Sequence, residues 1–264
     1  MEATSLRMPD ERQDRILDRL RRGGRVLASE LAIQFGISED TARRDLRALA
    51  AAGLCRRVYG GALPLSPAGG PIAQREGEQI ARKAALGRAA AALVADVMPA
   101  DGLLFLDAGS TNLAVASALP QTLAITVATN APQVAVALAA NRAIDVIMIG
   151  GSVNRRCGAA LGTRALRDLA GMRIDLALLG ACAADAGAGI AAFDPDDADF
   201  KRAVARAASM VATVALTDKL GTAAPFRVID AARLGHLVVE ADAPDALVAP
   251  FRACGVATHR ADAP

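Results

Sequence analysis

The spacing of apolar residues changes character once along the chain. Near the amino terminus, apolar residues recur at the spacing of an amphipathic helix over residues 10–21, with charges on the opposite face. These residues are Ile16, Leu17 and Leu20. After Pro99 the pattern becomes short, continuous apolar runs separated by helical stretches. Such runs are typical of strands buried on both faces of a sheet. The pattern therefore predicts a small helical unit followed by a larger α/β unit.

Two further helices are predicted between residues 29 and 52. Ser29 is expected to cap a short helix that ends at Phe35. Gly36, which is free to adopt a positive φ, lies in the tight turn that follows. Ser38 is placed to cap a third helix over residues 39–52.

The third predicted helix has one apolar face and one basic face. Arg44 and Arg47 lie opposite an apolar stripe when the residues are placed at the helical angle. The stripe consists of Ala42, Leu46 and Leu49. A turn followed by an Arg-bearing helix is the arrangement of a helix-turn-helix, whose last helix enters the major groove of DNA. After Gly53, residues 54–63 are expected to form a hairpin or wing beside an otherwise all-α module.

Charge is distributed unevenly over the chain. The net charge is only +2, but residues 41–63 hold five arginines against one acid, Asp45. The arginines are Arg43, Arg44, Arg47, Arg56 and Arg57. A cluster of this kind suits contact with DNA phosphates, because releasing condensed counterions supplies much of the affinity. A solvated basic face fits the charges alone equally well. Asp45 is expected to pair with an arginine and orient it.

Proline and glycine mark a boundary after the predicted wing. Residues 64–70 contain two prolines and two glycines and are expected to prevent both helix and strand pairing, giving a semi-flexible connector. We assign residues 1–63 to a DNA-binding domain, 64–77 to a linker, and 78–264 to a second domain for effector sensing and oligomerisation. The second domain opens with a long Ala-rich helix over residues 78–96.

Six buried strands alternate with helices in the second domain. This order predicts a largely parallel sheet covered on both faces. The predicted strands are residues 103–106, 124–128, 144–149, 176–179, 211–216 and 237–239. The predicted helices between them include residues 112–118, 131–140, 163–169 and 197–209.

Polar and glycine-containing loops follow several of these strands. Ligands of parallel α/β sheets bind at the carboxyl ends of the strands, and the N–H groups that open a helix favour an anion. The candidate effector-binding residues are Asp107, Gly109, Ser110, Thr111, Thr129, Asn130, Gly150, Gly151 and Lys219. Each loop by itself is more consistent with a plain turn, and the loops together fit a ligand site and plain turns equally well. No loop has the spacing of a nucleotide-triphosphate or dinucleotide motif, so neither cofactor is indicated.

The sequence gives little indication of a metalloprotein, a His-based enzyme, or a membrane or secreted protein. The four cysteines are scattered, and His236 and His259 lie in no recognisable motif, so we expect no metal centre, no cofactor and no His-based catalytic site. No run of 18 apolar residues is present, and residues 1–25 lack an apolar signal-peptide core. We therefore expect a cytoplasmic protein that makes no membrane contact.

Two segments of the first domain resemble the signature of DeoR-type helix-turn-helix regulators. These are residues 37–46 and 53–62, although Ala42 replaces an Ile and Tyr59 stands where the family more often has His. The resemblance implies that Thr41, Arg43 and Arg44 contact DNA and that the wing arginines position the wing. With the helix geometry, the expected DNA-binding set is Ser38, Thr41, Arg43, Arg44, Arg47, Arg56 and Arg57. Arg44 is expected to contact bases, and the other arginines mainly phosphates.

Residues 75–242 resemble the sugar-phosphate-sensing domain of the same regulators, whose fold is similar to ribose-phosphate isomerase and CoA-transferase domains. The matching positions are 107–111, Thr129-Asn130, Gly150-Gly151, Gly162, Asp175, Lys201-Arg202 and Lys219. Before Lys219 this chain has Leu216-Thr217-Asp218 where the family usually has Asp-Ser-Ser. Because of this difference, the resemblance does not identify the sugar portion of the effector.

The leading hypothesis is a repressor of a carbohydrate or polyol catabolic operon. It would bind double-stranded operator DNA as a dimer or higher homo-oligomer and be released by a phosphorylated sugar or polyol. One alternative is a DNA-binding oligomer that senses no ligand. The other is an isomerase-like enzyme that uses Asp107, Asp194 and Lys219; the appended DNA-binding domain argues against it, and we expect no enzyme.

Overall fold

The computed structural model describes residues 9–264. Residues 1–8, which belong to the predicted first domain and to the segment expected to lack a signal peptide, lie outside the described residues. Within 9–264, no helix is long and apolar enough to cross a membrane.

The amino-terminal unit is a winged helix-turn-helix. Its helices are α1 (Pro9–Gly23), α2 (Ala28–Phe35) and α3 (Glu39–Ala51), and its strands are β1 (Val26–Leu27), β2 (Cys55–Val58) and β3 (Gly61–Pro64). The three helices and the hairpin are confirmed. A third strand joins them, because β1 pairs antiparallel with β3 and gives the sheet order β1-β3-β2. The unit is therefore mixed α and β, not all-α. Its core includes Ile16, Leu20, Leu31, Phe35, Leu46 and Leu49.

The two predicted serine caps have different outcomes. Ser38 caps α3, since its hydroxyl oxygen accepts a hydrogen bond from the Thr41 N–H at 3.2 Å. The prediction for Ser29 is wrong: the cap position of α2 is Leu27, two residues before Ser29, and Leu27 makes no side-chain hydrogen bond there. Strand β1 runs directly into α2, and the Ala28 N–H donates to the Gly60 carbonyl at 2.8 Å. That bond satisfies a helix-end donor that would otherwise need a cap.

The second unit is built on a seven-stranded sheet in the order β15-β14-β12-β9-β4-β5-β6. Every neighbouring pair in it is parallel. Its strands are β4 (Leu103–Leu106), β5 (Ile125–Thr129), β6 (Ile144–Met148), β9 (Ile174–Gly180), β12 (Ala208–Ala215), β14 (His236–Val239) and β15 (Ala257–Arg260). All six predicted strands are present, and the fold class of a parallel α/β sheet is confirmed.

Helices cover this sheet, and two smaller sheets accompany it. The helices are α4 (Ile72–Glu76), α5 (Ile80–Val97), α6 (Ser110–Ala118), α7 (Pro132–Leu138), α8 (Thr163–Leu169), α9 (Pro195–Ala207) and α10 (Asp245–Ala253). The small strands are β7 (Ser152–Asn154), β8 (Ala159–Leu161), β10 (Ala183–Asp185), β11 (Gly189–Ala192) and β13 (Phe226–Ile229). A single apolar core joins the helices to the sheet, with the Phe105 and Phe200 rings 6.0 Å apart.

The strand order places a topological switch beside β4. From β4 the chain continues outward through β5 and β6, and then returns to add β9 and β12 on the other side. Loops that leave β4 and β9 diverge there and open a crevice at the carboxyl edge of the sheet, where such folds bind ligands.

The segment expected to be a semi-flexible connector is fixed in place. Pro67–Gly69 form a turn of 3₁₀ helix, and Leu65 forms a parallel bridge with Ala223. The Ser66 N–H donates to the Ala223 carbonyl at 3.0 Å, and its hydroxyl donates to the Cys182 carbonyl at 2.5 Å. The expectation that proline and glycine exclude both helix and pairing is wrong here, because the second unit supplies backbone partners for the residues between them.

Candidate functional site

The exposed face of α3 carries the arginines expected to bind DNA. Arg43, Arg44 and Arg47 are all exposed. Arg43 donates to Glu39 at 2.8 Å, and Arg47 donates to the Arg43 carbonyl at 3.3 Å. Within residues 9–264, Arg44 forms no side-chain hydrogen bond or ion pair, so its guanidinium is available to a base edge.

A buried ion pair orients α3. Both oxygens of Asp45 accept hydrogen bonds from the Arg12 guanidinium on α1, at 2.5 and 2.9 Å. The hydrogen bond to Asp45 raises the pKa of Arg12 above its ordinary value, against the opposing effect of burial. Asp45 thus pairs with an arginine as expected, and that arginine is Arg12 on α1.

The wing arginines are both exposed but differ in their contacts. Arg56 donates to the Pro225 carbonyl of the second unit at 3.0 Å. Arg57 has no such partner among the described residues. Tyr59, at the tip of the hairpin, is 99% exposed. The hairpin tip and Arg57 are therefore open to solvent.

A pocket lies at the switch beside β4. It contains four of the predicted effector-binding residues, Gly109, Ser110, Thr111 and Lys219. The first three open α6, whose cap residue Gly109 has a φ of 142° and supplies no side-chain cap, so the uncapped first turn of the helix forms part of the pocket wall. Other residues lining it are Arg75, Asn112, Cys157, Gly180, Cys182, Asp197 and Lys201.

Lys219 is the unusual group in this pocket. Its side chain is buried, with 7% of the residue exposed, yet among residues 9–264 its ammonium has no hydrogen-bond or ion-pair partner. Burial lowers the pKa of Lys219 to about 8; Cys182 and Asp218 oppose this shift, and the nearby cations Arg75 and Lys83 add to it. The hydroxyl oxygen of Thr111 is also buried without a described partner. The pocket thus presents unsatisfied donors to an anion.

A second buried lysine has its charge compensated by two carboxylates. Lys201, on α9, pairs with Asp197 one turn earlier and lies 3.4 Å from Asp107. The two carboxylates raise the pKa of Lys201 despite its burial. Burial raises the pKa of Asp107 to about 6, and its Oδ2 accepts the Gly180 N–H at 2.8 Å. Asp107 therefore braces the ends of β4 and β9 beneath the pocket and does not line it.

The remaining predicted residues lie elsewhere. Thr129 and Asn130 are fully buried and hold their own loop, through bonds to the Ala131 N–H and the Ala160 carbonyl. Gly151 lines a separate groove, and Gly150 lies near Arg164. These two loops follow β5 and β6, which are on the far side of β4 from β9 and β12. Strand order thus separates them from Lys219.

A second cavity adjoins the pocket and contains residues that the sequence did not single out. It measures about 210 Å³, against 30 Å³ for the first, and the two share Arg75, Ser110 and Lys219. Pro67 and Ala68 form one wall. Arg75 lies within residues 64–77, which the sequence assigns to a linker, so the sequence gives no signal for its place in the pocket. The i, i+4 spacing of Asp197 and Lys201 was a signal that could have revealed their ion pair.

The residues after Lys219 contact the DNA-binding unit. The Ala223 N–H donates to the Pro64 carbonyl at 2.9 Å, beside the Leu65–Ala223 bridge. Nearby, Arg25 forms an ion pair with Asp185 at 3.1 Å. One loop, residues 216–225, therefore lines the pocket and also contacts the winged helix-turn-helix.

No group of three or more metal-ligating side chains lies together within residues 9–264. The described residues thus combine a helix with exposed arginines in the first unit and a pocket lined by Arg75, Lys201 and Lys219 in the second. Together these features define a transcriptional regulator with an amino-terminal DNA-binding unit and a carboxyl-terminal sensor.

Comparison with known proteins identifies the family. Residues 12–67 match the model of the DeoR-like helix-turn-helix domain, and residues 78–241 match that of the DeoR C terminal sensor domain. The chain belongs to the DeoR family of transcriptional regulators. This family consists of regulators and not of enzymes, and the prediction of a DNA-binding transcriptional regulator is confirmed.

Two curated relatives cover most of the chain. The glycerol-3-phosphate regulon repressor of Escherichia coli K12 is 32% identical over 212 residues, which is 80% of this chain and 82% of the relative. The putative aga operon transcriptional repressor of E. coli O157:H7 is 26% identical over 246 residues, 93% of this chain and 91% of the relative.

Among solved structures, ribose 5 phosphate isomerase A from Neisseria gonorrhoeae is 17% identical, with a TM-score of 0.38 over 52% of this chain and 53% of the isomerase. The fold class rests on the parallel sheet described above and not on this similarity.

Proposed function

We propose that this protein represses a carbohydrate or polyol catabolic operon and leaves its operator when a phosphorylated sugar or polyol binds the pocket beside β4. The family supports DNA binding, and the named relatives are repressors of a glycerol-3-phosphate regulon and, putatively, of an aga operon. Such a regulator acts where the chromosome is, in the cytoplasm.

The buried ammonium of Lys219 is the observation on which the effector class rests. A buried charge without a partner is costly, and an anionic ligand would compensate it. The first turn of α6 adds N–H donors, the favourable end of the helix dipole and the hydroxyls of Ser110 and Thr111. A phosphate group has enough acceptor oxygens to satisfy these donors together.

The adjoining cavity would receive the rest of the effector. At about 210 Å³ it is smaller than the usual ligand pocket of roughly 300 Å³ or more. One wall is Pro67 and Ala68 in the connector, and another is the loop that holds Lys219. An effector of sugar-phosphate size would therefore have to displace the connector or the loop.

That displacement would reach the DNA-binding unit directly. The connector joins the wing to the second unit, and the loop holds the connector through the Pro64 and Ser66 bonds to Ala223. Moving either element would reorient α3, and two α3 helices that no longer match the spacing of their half-sites would lose DNA affinity. The effector shifts this equilibrium only if it binds the displaced arrangement more tightly.

Calorimetric titration tests the effector class. Phosphorylated sugars and polyols would be titrated into the protein beside their unphosphorylated counterparts, and we expect binding by a phosphorylated compound alone. Ser110→Ala should weaken that binding by about tenfold, the value of one charge-assisted hydrogen bond. Ser117→Ala is the matched control, because Ser117 lies on the same helix but bonds its own Leu113 carbonyl. Equal loss in both variants would contradict the proposed pocket.

A further inference from the structure

Two polar side chains, those of Gln79 and Asp218, line the cavity of about 210 Å³ but not the first pocket. The residues that line both are Arg75, Ser110 and Lys219, and these mark the place where the phosphate would lie. The Gln79 amide donates to the Asp218 carboxylate at 3.0 Å, and both residues are exposed. A ligand that extends from Lys219 into this cavity would therefore meet these two side chains.

The carboxylate of Asp218 can accept further hydrogen bonds. An ionised carboxylate has two oxygens that accept and no proton to donate, and within residues 9–264 the hydrogen bond from Gln79 is its only one. Asp218 precedes Lys219 in the 3₁₀ turn Thr217–Lys219, but in the same part of the chain no ion pair joins their side chains. The acceptor capacity of Asp218 is therefore still available to a ligand.

The other charged groups of this wall do not reverse its character. Lys83 is buried, and its ammonium donates to the backbone carbonyls of Arg75 and Glu78. The Glu78 side chain adds a second carboxylate, which accepts a hydrogen bond from the Gln74 amide at 3.0 Å. Among the described residues, the part of the cavity not shared with the first pocket therefore presents carboxylate acceptors and only one cation, which is already bonded.

The backbone of Gln79 is strained. Its φ is 52°, in the left-handed region that residues with a Cβ rarely adopt, and it lies at the cap position of α5. Its side chain supplies no cap to that helix and bonds to Asp218 instead. Backbone strain of this kind is concentrated at ligand-binding positions.

We propose that Gln79 and Asp218 bind a hydroxyl group of the effector and that Asp218 excludes a carboxylate from the same place. A hydroxyl group both donates and accepts, so it can donate to the Asp218 carboxylate and accept from the Gln79 amide. A carboxylate only accepts, so at this position it would place two anions together with no proton to share. The effector is therefore a phosphate ester of a polyhydroxy compound and not a phosphorylated sugar acid.

This inference rests on the proposed function, because the phosphate at Lys219 determines where the rest of the ligand lies. Leu216, which lines the same cavity, is buried and apolar, so its side chain forms no hydrogen bond with a ligand. In the loop that holds Lys219, the choice between a hydroxyl and a carboxylate is therefore made by Asp218.

Calorimetric titration with matched pairs of ligands tests the inference. Glycerol 3-phosphate is paired with 3-phosphoglycerate, and glucitol 6-phosphate with 6-phosphogluconate, so that each pair differs by one terminal alcohol or acid. Inorganic phosphate probes the anion site alone. We expect an alcohol to bind more tightly than its acid. Asp218→Asn should reduce that preference by about fivefold or more, because it weakens a charge-assisted hydrogen bond and removes a repulsion.

Asp199→Asn is the matched control. Asp199 is an exposed aspartate of the second unit that lies outside both cavities and pairs with Arg202; its replacement should leave the preference unchanged. Phosphate binding without a preference for an alcohol in either pair, or a preference that Asp218→Asn leaves unchanged, would overturn the inference alone. No binding of any phosphate, or binding that Lys219→Met leaves unchanged, would overturn the proposed function itself and this inference with it.

Discussion

At the scale of single residues, the arginines of the DNA-binding unit separate into two roles. Among residues 9–264, neither Arg44 on α3 nor Arg57 on the wing forms a side-chain hydrogen bond or an ion pair. We expect Arg44→Ala to cost about 1 to 3 kcal/mol on operator DNA and little on random DNA, because a base contact carries sequence information. Arg57→Ala should weaken both and lower the slope of log affinity against log salt by about one. Fluorescence anisotropy on both DNAs checks this, and equal losses for Arg44→Ala would contradict its base contact.

The lowered pKa of Lys219 should make effector affinity depend on pH. Its pKa in the free protein is lowered to about 8, so it is mostly charged at neutral pH and loses its proton as the pH rises above 8. Effector affinity should therefore fall by up to tenfold per pH unit above pH 8. Titrations between pH 6.5 and 9.5 check the slope, and Arg at position 219, which keeps its charge, should flatten it. An affinity that stays constant to pH 9.5 would exclude Lys219 from the binding of the effector.

The same lysine should reduce the stability of the ligand-free protein. A base whose pKa is lower in the folded state opposes folding below that pKa, and the penalty is relieved as the pH rises from about 8 towards 10.5. Lys219→Met should therefore raise the free energy of unfolding at pH 7 by about 2 to 3 kcal/mol. Urea denaturation at pH 7 and pH 10 measures it, and a destabilised variant would show that the charge is compensated.

The Arg12–Asp45 pair is expected to matter for stability far more than the exposed pairs on α3. Asp45→Ala would leave the Arg12 charge buried with its main carboxylate removed, at a cost of about 3 to 5 kcal/mol. Glu39→Ala breaks the exposed pair with Arg43 and should cost less than about 1 kcal/mol. Thermal unfolding of the two variants compares them directly, and similar losses would show that burial of the Asp45 pair has no added effect.

At the scale of elements, the loop 216–225 couples the two units. The Arg25–Asp185 ion pair joins the winged helix-turn-helix to the second unit. We expect Arg25→Ala to loosen this contact between the units, so that DNA affinity depends less on the effector. DNA binding with and without effector measures the ratio, which should fall several-fold. Arg233→Ala is a control for loss of a partly buried arginine, because Arg233 bonds only the Ala205 and Ala208 carbonyls in the described chain.

Helices and strands could be predicted from the sequence where the spacing of apolar residues alone determines the element. The helix Glu39–Ala51 and the strand Leu103–Leu106 follow directly from their apolar spacing. Ser29 failed as a cap because a distant carbonyl, that of Gly60, satisfies the helix end. The connector was misjudged for the same reason, since Ala223 supplies its partners. Local sequence does not contain these non-local hydrogen bonds.

At the scale of the whole molecule, the order of the strands determines which of the predicted effector-binding residues lie together in the pocket. Gly109, Ser110, Thr111 and Lys219 came together, whereas Thr129 and Gly150 did not, because β5 and β6 extend away from the switch beside β4. The alternation of strands and helices predicts a parallel sheet but contains no information on the order of its strands. Arg75 lines the pocket through the path of the connector, which the sequence likewise leaves open.

The most direct test of the account is the release of operator DNA by effector. Anisotropy of DNA from upstream of the protein's own gene would be followed during titration with phosphorylated sugars and with their unphosphorylated counterparts. We expect sequence-specific binding that a phosphorylated compound alone releases, and a Lys219→Met protein that binds the same DNA but is not released. Specific binding that no compound alters, or release that persists in Lys219→Met, would contradict a phosphate sensor at this pocket.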